Sequence, residues 1–217
     1  MEPFDRKKHW EKIYETKALK DVSWFQPVPE TSLDFFKEFN VPKNAKIIDV
    51  GGGDSLLVDF LLDLGYTDIT VLDISAAALE RAKKRLGDRA ALVKWIEADA
   101  TQFTPTTTYD FWHDRAAFHF LTGDEEITRY INTVQQYLSP HGVFVLGTFS
   151  EQGPKKCSGI EIKQYSEDEM TDRLKKFFEK VKCIRVEHKT PSETIQNFVF
   201  CSFRKLPDVD NGLKEIK

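Results

Sequence analysis

Three consecutive glycines between an apolar run and an amphipathic one set the strongest limit on what this chain folds into. Lys46-Ile47-Ile48-Asp49-Val50 reads as a buried strand, Gly51-Gly52-Gly53 breaks it, and Leu56 to Leu64 carries helical periodicity that stops at Gly65. Strand, glycine turn and helix together let backbone N–H groups and a helix N-terminus face a nucleotide-like ligand, because a turn without side chains admits close approach. A plain tight turn is the simpler reading of the glycines alone. The next strand, Ile69-Thr70-Val71-Leu72, ends on Asp73, an acid placed to accept hydrogen bonds from the two hydroxyls of a ribose.

Regular alternation continues on both sides of this unit. Thr31 or Ser32 is expected to cap a helix over 33–39. Ser75 caps a helix that runs to Leu86 and stops at Gly87, with Lys83, Lys84 and Arg85 gathered at its C-terminal end as the helix dipole favours. Strands are expected at 91–96, 109–113 and 143–149, with a helix from Asp124 to Leu138 and a turn at Ser139-Pro140-His141-Gly142. Ser166 opens a capped, acidic helix to about Phe178. Two last strands, 181–188 and 196–205, are too close in sequence for a helical crossover and should pair antiparallel. The pattern predicts an α/β fold: a Rossmann-like three-layer sandwich on a mostly parallel seven-stranded sheet with a C-terminal antiparallel strand. Three regions follow: an aromatic N-terminal arm over 1–30, a candidate lid; one domain over 31–206; and a polar tail over 207–217.

At 217 residues the chain is long enough for one sizeable core and short for two. Its formal net charge of -4 argues against extensive non-specific binding to nucleic acid. No apolar run reaches the length that spans a bilayer, and Met1 to Lys8 lead into no apolar signal region, so a cytoplasmic protein is expected, with no membrane partner. Cys157, Cys183 and Cys201 are widely spaced and odd in number. Cys183 and Cys201 are expected as buried thiols in strands and Cys157 in a polar loop, with neither a disulfide framework nor a metal site.

Asp49-Val50-Gly51-Gly52-Gly53-Asp54-Ser55, with Asp73, Asp99 and the closing antiparallel pair, resembles the class I S-adenosylmethionine-dependent methyltransferases over roughly residues 30 to 205. The resemblance implies S-adenosyl-L-methionine as cofactor. It implies that Gly51, Gly52 and Gly53 lie beside its methionine part and that Asp49 organises their turn. Asp73 would hold the ribose hydroxyls, Ile74 would pack on the adenine, and Asp99 would accept from the adenine amino group with Ala100 beside it. Trp24 would close over the cofactor from the arm. The chain departs from the family pattern at Ser55, where a third glycine commonly stands. A residue other than Gly or Ala there also argues against an NAD-dependent oxidoreductase, the rival enzyme class.

The acceptor is expected beyond the fourth strand, at His113-Asp114-Arg115-Ala116-Ala117-Phe118-His119-Phe120. His119 and His113 are candidate general bases, since imidazole titrates near neutrality. Arg115 is a candidate for an acceptor carboxylate, and Asp114 either pairs with it or caps the following turn. A structural hydrogen bond is the plainer reading for each histidine. The segment lacks the proline-rich signature of many nucleic-acid methyltransferases. The arm and short substrate region favour a small-molecule acceptor with an N, O or S nucleophile. A protein lysine acceptor, and a cofactor-binding or protein-interaction module without catalysis, stay open, as does the oligomeric state.

Overall fold

The computed structural model describes residues 4–207, so the expected polar tail lies outside the described residues beyond its first position. In chain order the elements are α1 (Arg6–Thr16), α2 (Glu30–Glu38), β1 (Lys46–Val50), α3 (Leu57–Asp63), β2 (Asp68–Asp73), α4 (Ala76–Leu86), β3 (Val93–Glu97), β4 (Tyr109–Arg115), α5 (Asp124–Tyr137), β5 (Leu138–Phe149), β6 (Lys156–Cys157), β7 (Ile160–Glu161), α6 (Glu167–Leu174), β8 (Phe178–Lys189) and β9 (Ile195–Lys205). Seven strands form one sheet in the order β3-β2-β1-β4-β5-β9-β8, and β6 with β7 makes a small hairpin in the loop after β5. The first five strands of the sheet run parallel, and β9 runs antiparallel to both β5 and β8. The fold is the Rossmann-like sandwich that the sequence predicts.

Strand alternation divides the core into two layers. Ile47, Phe111, Val143, Val145, Phe149, Phe198 and Phe200 face Phe35 and Phe36 of α2 and Leu57, Val58 and Leu61 of α3. Ile48, Val50, Trp112, Phe144, Leu146, Val199, Cys201 and Phe203 face Ile127, Tyr130 and Val134 of α5 and Met170 and Leu174 of α6. The chain builds outward from β1 to β3 and then returns to lay β4 on the other side of β1. The crevice beyond the carboxyl ends of β1 and β4 is therefore the place where this topology leaves room for a ligand. Among the described residues no helix is long and apolar enough to cross a membrane.

The structure differs from the sequence reading in several places. The expected turn at 139–142 lies inside β5: Tyr109 pairs with Leu138 and Phe111 with Val143, so the extra residues bulge out of the ladder, with His141 at φ +66°. α6 ends at Leu174, and the next strand opens at Phe178, whose ring is buried against the sheet. Cys183 and Cys201 are not separate thiols: they stand opposite one another across β8 and β9 and are joined as a disulfide. Their separation of 18 residues concealed this, because the register of a long hairpin is set by its pairing and not by spacing. Cys157, expected in a polar loop, is buried under that loop.

Candidate functional site

A cavity occupies the crevice, and its walls come from the carboxyl ends of the strands and from the N-terminal arm. Asp49, Gly51, Gly52, Asp73, Ile74, Asp99, Ala100, Trp24, His113 and Arg115 all line it. Gly53 abuts it: a Cβ there would stand 2.7 Å from the Tyr14 hydroxyl and 3.1 Å from Asp73 Oδ2. Asp114 and His119 lie off the cavity.

The glycine turn is shaped by steric need. Gly51 has φ +67°, and a Cβ on it would meet the Ala117 Cβ at 2.5 Å. A Cβ on Gly52 would meet Asp49 Oδ2 at 2.7 Å and Val71 at 2.8 Å, so the Asp49 carboxylate packs directly beneath the turn. Ser55, in place of the family's third glycine, accepts a hydrogen bond from the Leu57 N–H at 3.2 Å and helps to start α3. The serine thus supplies a local cap.

Asp49 is itself held. His113 Nδ1 lies 2.7 Å from Asp49 Oδ1, and His113 Nε2 lies 2.9 Å from Ser32 Oγ. A carboxylate only accepts, so Nδ1 donates to Asp49. All three groups are buried and come from β1, β4 and α2. α2 starts two residues before the expected cap, which places Ser32 inside its first turn and frees the hydroxyl for His113. Both ring nitrogens are engaged, so His113 is not a free base in this arrangement.

Asp73 is almost fully buried. Its Oδ1 accepts from the Ser75 N–H at 2.9 Å. Burial, with the neighbouring charges of Asp54 and Asp49, raises its carboxyl to about 7. A carboxylate held this far above its ordinary range is short of donors, and two ribose hydroxyls would supply them. Asp99 turns Oδ1 to the Thr101 N–H and hydroxyl at 2.8 and 2.7 Å, while Oδ2 lies 3.5 Å from the Arg6 guanidinium. Ile74, Leu72, Ala98, Ala100 and Leu121 give this end apolar walls. A glycine cradle, an undersupplied acid at β2 and an apolar slot at β3 fit S-adenosylmethionine, whose adenosine and zwitterionic methionine end need those partners.

The arm covers this end. Asp5 caps α1 by accepting from the Lys8 N–H, and Arg6, Trp10 and Tyr14 follow at four-residue spacing on one helical face toward the cavity. Glu11 accepts from Ser75 Oγ at 2.8 Å and from the N–H groups of Ala76 and Ala77 at 2.8 and 2.9 Å, so the arm's own carboxylate closes the N-terminus of α4. Arg81 donates to the Tyr14 and Lys17 carbonyls at 2.8 and 2.7 Å, and Lys7 pairs with Glu97. Trp24 and Phe120 meet the Trp10 ring edge to face at 5.7 and 5.0 Å.

β4 sorts the acceptor candidates by face. The strand extends to Arg115, so His113 and Arg115 point into the cavity while Asp114 between them points to α5. There Asp114 accepts from the Tyr130 hydroxyl at 2.6 Å and from the N–H groups of Ala117 and Phe118 at 3.0 and 3.1 Å. Burial raises its carboxyl to about 6. Asp114 is a turn cap, and it does not pair with Arg115. His119 is fully buried beside Phe149, accepts from the Phe149 N–H at 3.3 Å, and is pushed down to about 3 by burial and by the Arg115 charge. That ring stays neutral and cannot reach a substrate, which corrects its reading as a general base. The sequence reading also passed over Arg6, Trp10, Ser32, Cys157, Gln196 and Phe198 as cavity residues. The spacing of Arg6, Trp10 and Tyr14, and the alternation of Gln196 with Phe198, were the available signals.

Comparison with known proteins agrees with this geometry. A family model described as a methyltransferase domain matches residues 47–142. The chain is 30% identical over 122 residues to a mouse eEF1A lysine and N-terminal methyltransferase, covering 55% of this chain but only 17% of that relative. It is 24% identical over 157 residues to zebrafish EEF1A lysine methyltransferase 2, covering 64% of this chain and 66% of that one. A malonyl-[acyl-carrier protein] O-methyltransferase of Anoxybacillus flavithermus is 28% identical over 107 residues, 49% of this chain and 39% of the relative. In fold, the chain is similar to the N-methyltransferase NodS from Bradyrhizobium japonicum WM9 solved with S-adenosylhomocysteine, with a TM-score of 0.71 at 15% identity over 94% of this chain and 100% of that one. The cradle of β1, the acid of β2 and the closing antiparallel strand therefore fit a methyltransferase domain, which the family model matches over residues 47–142.

Proposed function

We propose that this chain transfers the methyl group of S-adenosylmethionine to an amine nitrogen presented by a protein, a lysine side chain. The observation that carries methyl transfer is the cavity whose wall includes both Asp73 and Asp99 at one end and Arg115 and Phe198 at the other. The lysine reading draws its support from the curated relatives, several of which are named as eEF1A lysine methyltransferases. They support it better than the small-molecule acceptor that the sequence favours.

In this reading Asp73 accepts from the ribose hydroxyls, Asp99 Oδ2 takes the adenine amino group, and Ile74 and Ala100 flank the ring. Gly51 to Gly53 admit the methionine end, with Asp49 fixed beneath them by His113 and Ser32. Residues 1–30 act as a lid on the domain at 31–206, with Trp10 and Trp24 excluding water. Bound S-adenosylmethionine supplies an electrophilic methyl on a sulfonium. The protein's part is alignment of nucleophile, methyl and sulfur in a dry site. His113 is engaged at both nitrogens, and burial pushes the Cys157 thiol up to about 11, so neither is placed to take a proton. In this reading the acceptor amine enters as the neutral base.

A second reading, a small acceptor bearing a carboxylate, is favoured by the buried guanidinium of Arg115. Incubation with methyl-tritiated cofactor, followed by separation of protein and metabolite fractions, tests the choice. Label on lysine in the protein fraction is the expected result. Label confined to small molecules would defeat the lysine reading.

A further inference from the structure

The geometry points to Arg115 as the seat of a carboxylate that travels with the methyl acceptor, with Gln196 as the acceptor for an N–H or O–H of the same ligand. This rests on the methyl-transfer reading and applies to a protein or a small acceptor, because the carboxylate is the group recognised and not the atom methylated.

Two buried polar atoms on the cavity wall lack any partner. One is Arg115 Nη2 and the other is Gln196 Oε1. They come from different elements, the end of β4 and the start of β9, and they do not bond to each other. A buried donor and a buried acceptor each cost free energy when left unmade, and buried polar groups are nearly always satisfied. Two such atoms lining one cavity mark a place where a ligand completes the structure.

The charge of this corner is equally specific. Among the described residues no carboxylate lies within salt-bridge distance of Arg115. Its Nη1 donates to the Trp24 carbonyl at 3.1 Å, which orients the guanidinium without neutralising it. The guanidinium carbon stands 5.3 Å from the centroid of the Phe198 ring. Burial lowers the group to about 10, so it is still a cation at neutral pH. Its field reaches His119 and His188, adding to the burial that pushes both of them down. A guanidinium fork with a free Nη2 is matched to a carboxylate, and Gln196 Oε1 on the same cavity wall is left to accept an N–H or O–H that the same ligand carries. Phe149 and Phe198 supply apolar surface for the carbon skeleton.

The position separates this corner from the cofactor. β4 lies between β1 and β5, so the end of β4 faces the β5–β9 half of the sheet, whereas Asp73 and Asp99 lie on the β2–β3 half. Arg115 pairs in register with Gly147 of β5, and its side chain lies over Phe198 of β9.

Calorimetry on the full chain saturated with S-adenosylhomocysteine tests the assignment, with hexanoate, hexanamide and hexylamine as probes. Hexanoate is expected to bind about tenfold or more tighter than the other two, the factor of a charge-assisted hydrogen bond. Arg115→Gln should remove that preference and leave the affinity for S-adenosylhomocysteine within about threefold, since the corner lies outside the cofactor's half. Gln196→Leu, which keeps the guanidinium, should leave the preference for hexanoate over hexylamine in place. Hexanoate binding no better than hexanamide would overturn the proposal without any variant being made. So would an Arg115→Gln protein that binds hexanoate as the parent does. A loss of S-adenosylhomocysteine affinity of about tenfold in Arg115→Gln would also overturn it, by giving the guanidinium to the cofactor's own carboxylate. Failure of the parent to bind S-adenosylhomocysteine would instead remove the methyl-transfer reading beneath it.

Discussion

Acidification should weaken the cofactor site through one residue, Asp73. Burial first, and then the charges of Asp54 and Asp49, hold its carboxyl at about 7 in the free protein. Two ribose hydroxyls can both donate only to the ionised form, so apparent affinity follows the ionised fraction. That fraction is about 0.9 at about pH 8 and about 0.1 at about pH 6, a tenfold loss or about 1.4 kcal/mol. The sign for the empty fold runs the other way from a salt-bridged acid. From the ordinary value of 3.8 up to about 7, the native state keeps a proton that the unfolded chain has released. Stability of the free protein therefore falls as pH rises through that window, by on the order of 4 kcal/mol in total. Titration calorimetry with S-adenosylhomocysteine from about pH 6 to about pH 8, in buffers of different ionisation heat, reads both the affinity and the proton released on binding. The ligand has an ionisable amino group of its own, and Asp73→Asn isolates the protein's share. That variant should bind about 1–3 kcal/mol more weakly, because one hydroxyl loses its acceptor, and its affinity should lose the Asp73 component of the slope. An Asp73→Asn protein with the parent's pH dependence would refute the argument.

Other residues carry sharper structural expectations. His113→Ala removes the partner of two buried groups, Asp49 and Ser32, and should cost about 2–4 kcal/mol in urea unfolding; Ser32→Ala, which leaves the Asp49 contact, should cost about 1 kcal/mol. Glu11→Ala uncaps α4 and unties the arm at once, so α1 should exchange amide hydrogens faster while the central strands stay protected, with about 1–2 kcal/mol lost overall. His119→Leu should leave S-adenosylhomocysteine affinity within about twofold, since the ring touches Phe149 and not the cavity, and a variant with tenfold weaker binding would return His119 to the site.

The cofactor half was legible because its chemistry lies at element ends that punctuation reveals. Gly51 to Gly53 end β1, Asp73 ends β2, and Asp99 follows β3, so reading the strands was enough to bring the three together. The acceptor half was not legible in the same way. Taking β4 to end at His113 left Asp114, Arg115 and His119 as neighbours in one loop. Two more residues of strand reverse that: Asp114 goes to Tyr130 on the far face, and Arg115 goes to the cavity. Ser32 carried no signal at all, because its partner His113 lies 81 residues away. The disulfide was hidden for a related reason, since only the register of β8 on β9 brings Cys183 to Cys201. Local punctuation survives in a sequence; the pairing of distant strands and helices does not.

Charge movement connects the Arg115 corner to the choice of acceptor. The cofactor side carries Asp49, Asp73 and Asp99, and the acceptor side carries an unneutralised guanidinium. Methylation of a neutral amine moves a positive charge from sulfur, beside the acids, to nitrogen, nearer Arg115. At an effective dielectric of about 20, moving the charge from about 10 Å to about 6 Å from the guanidinium costs about 1 kcal/mol, enough to slow transfer several-fold. A carboxylate seated on Arg115 cancels that cost. A lysine acceptor in this cavity is therefore expected to bring an acidic neighbour. Paired lysine peptides, one with Glu beside the lysine and one with Gln, should differ in methylation rate in favour of Glu. In Arg115→Gln, where no cation awaits neutralisation, the preference should collapse because the Gln peptide speeds up. Equal rates for the two peptides with the parent protein would detach Arg115 from the acceptor, whichever atom receives the methyl group.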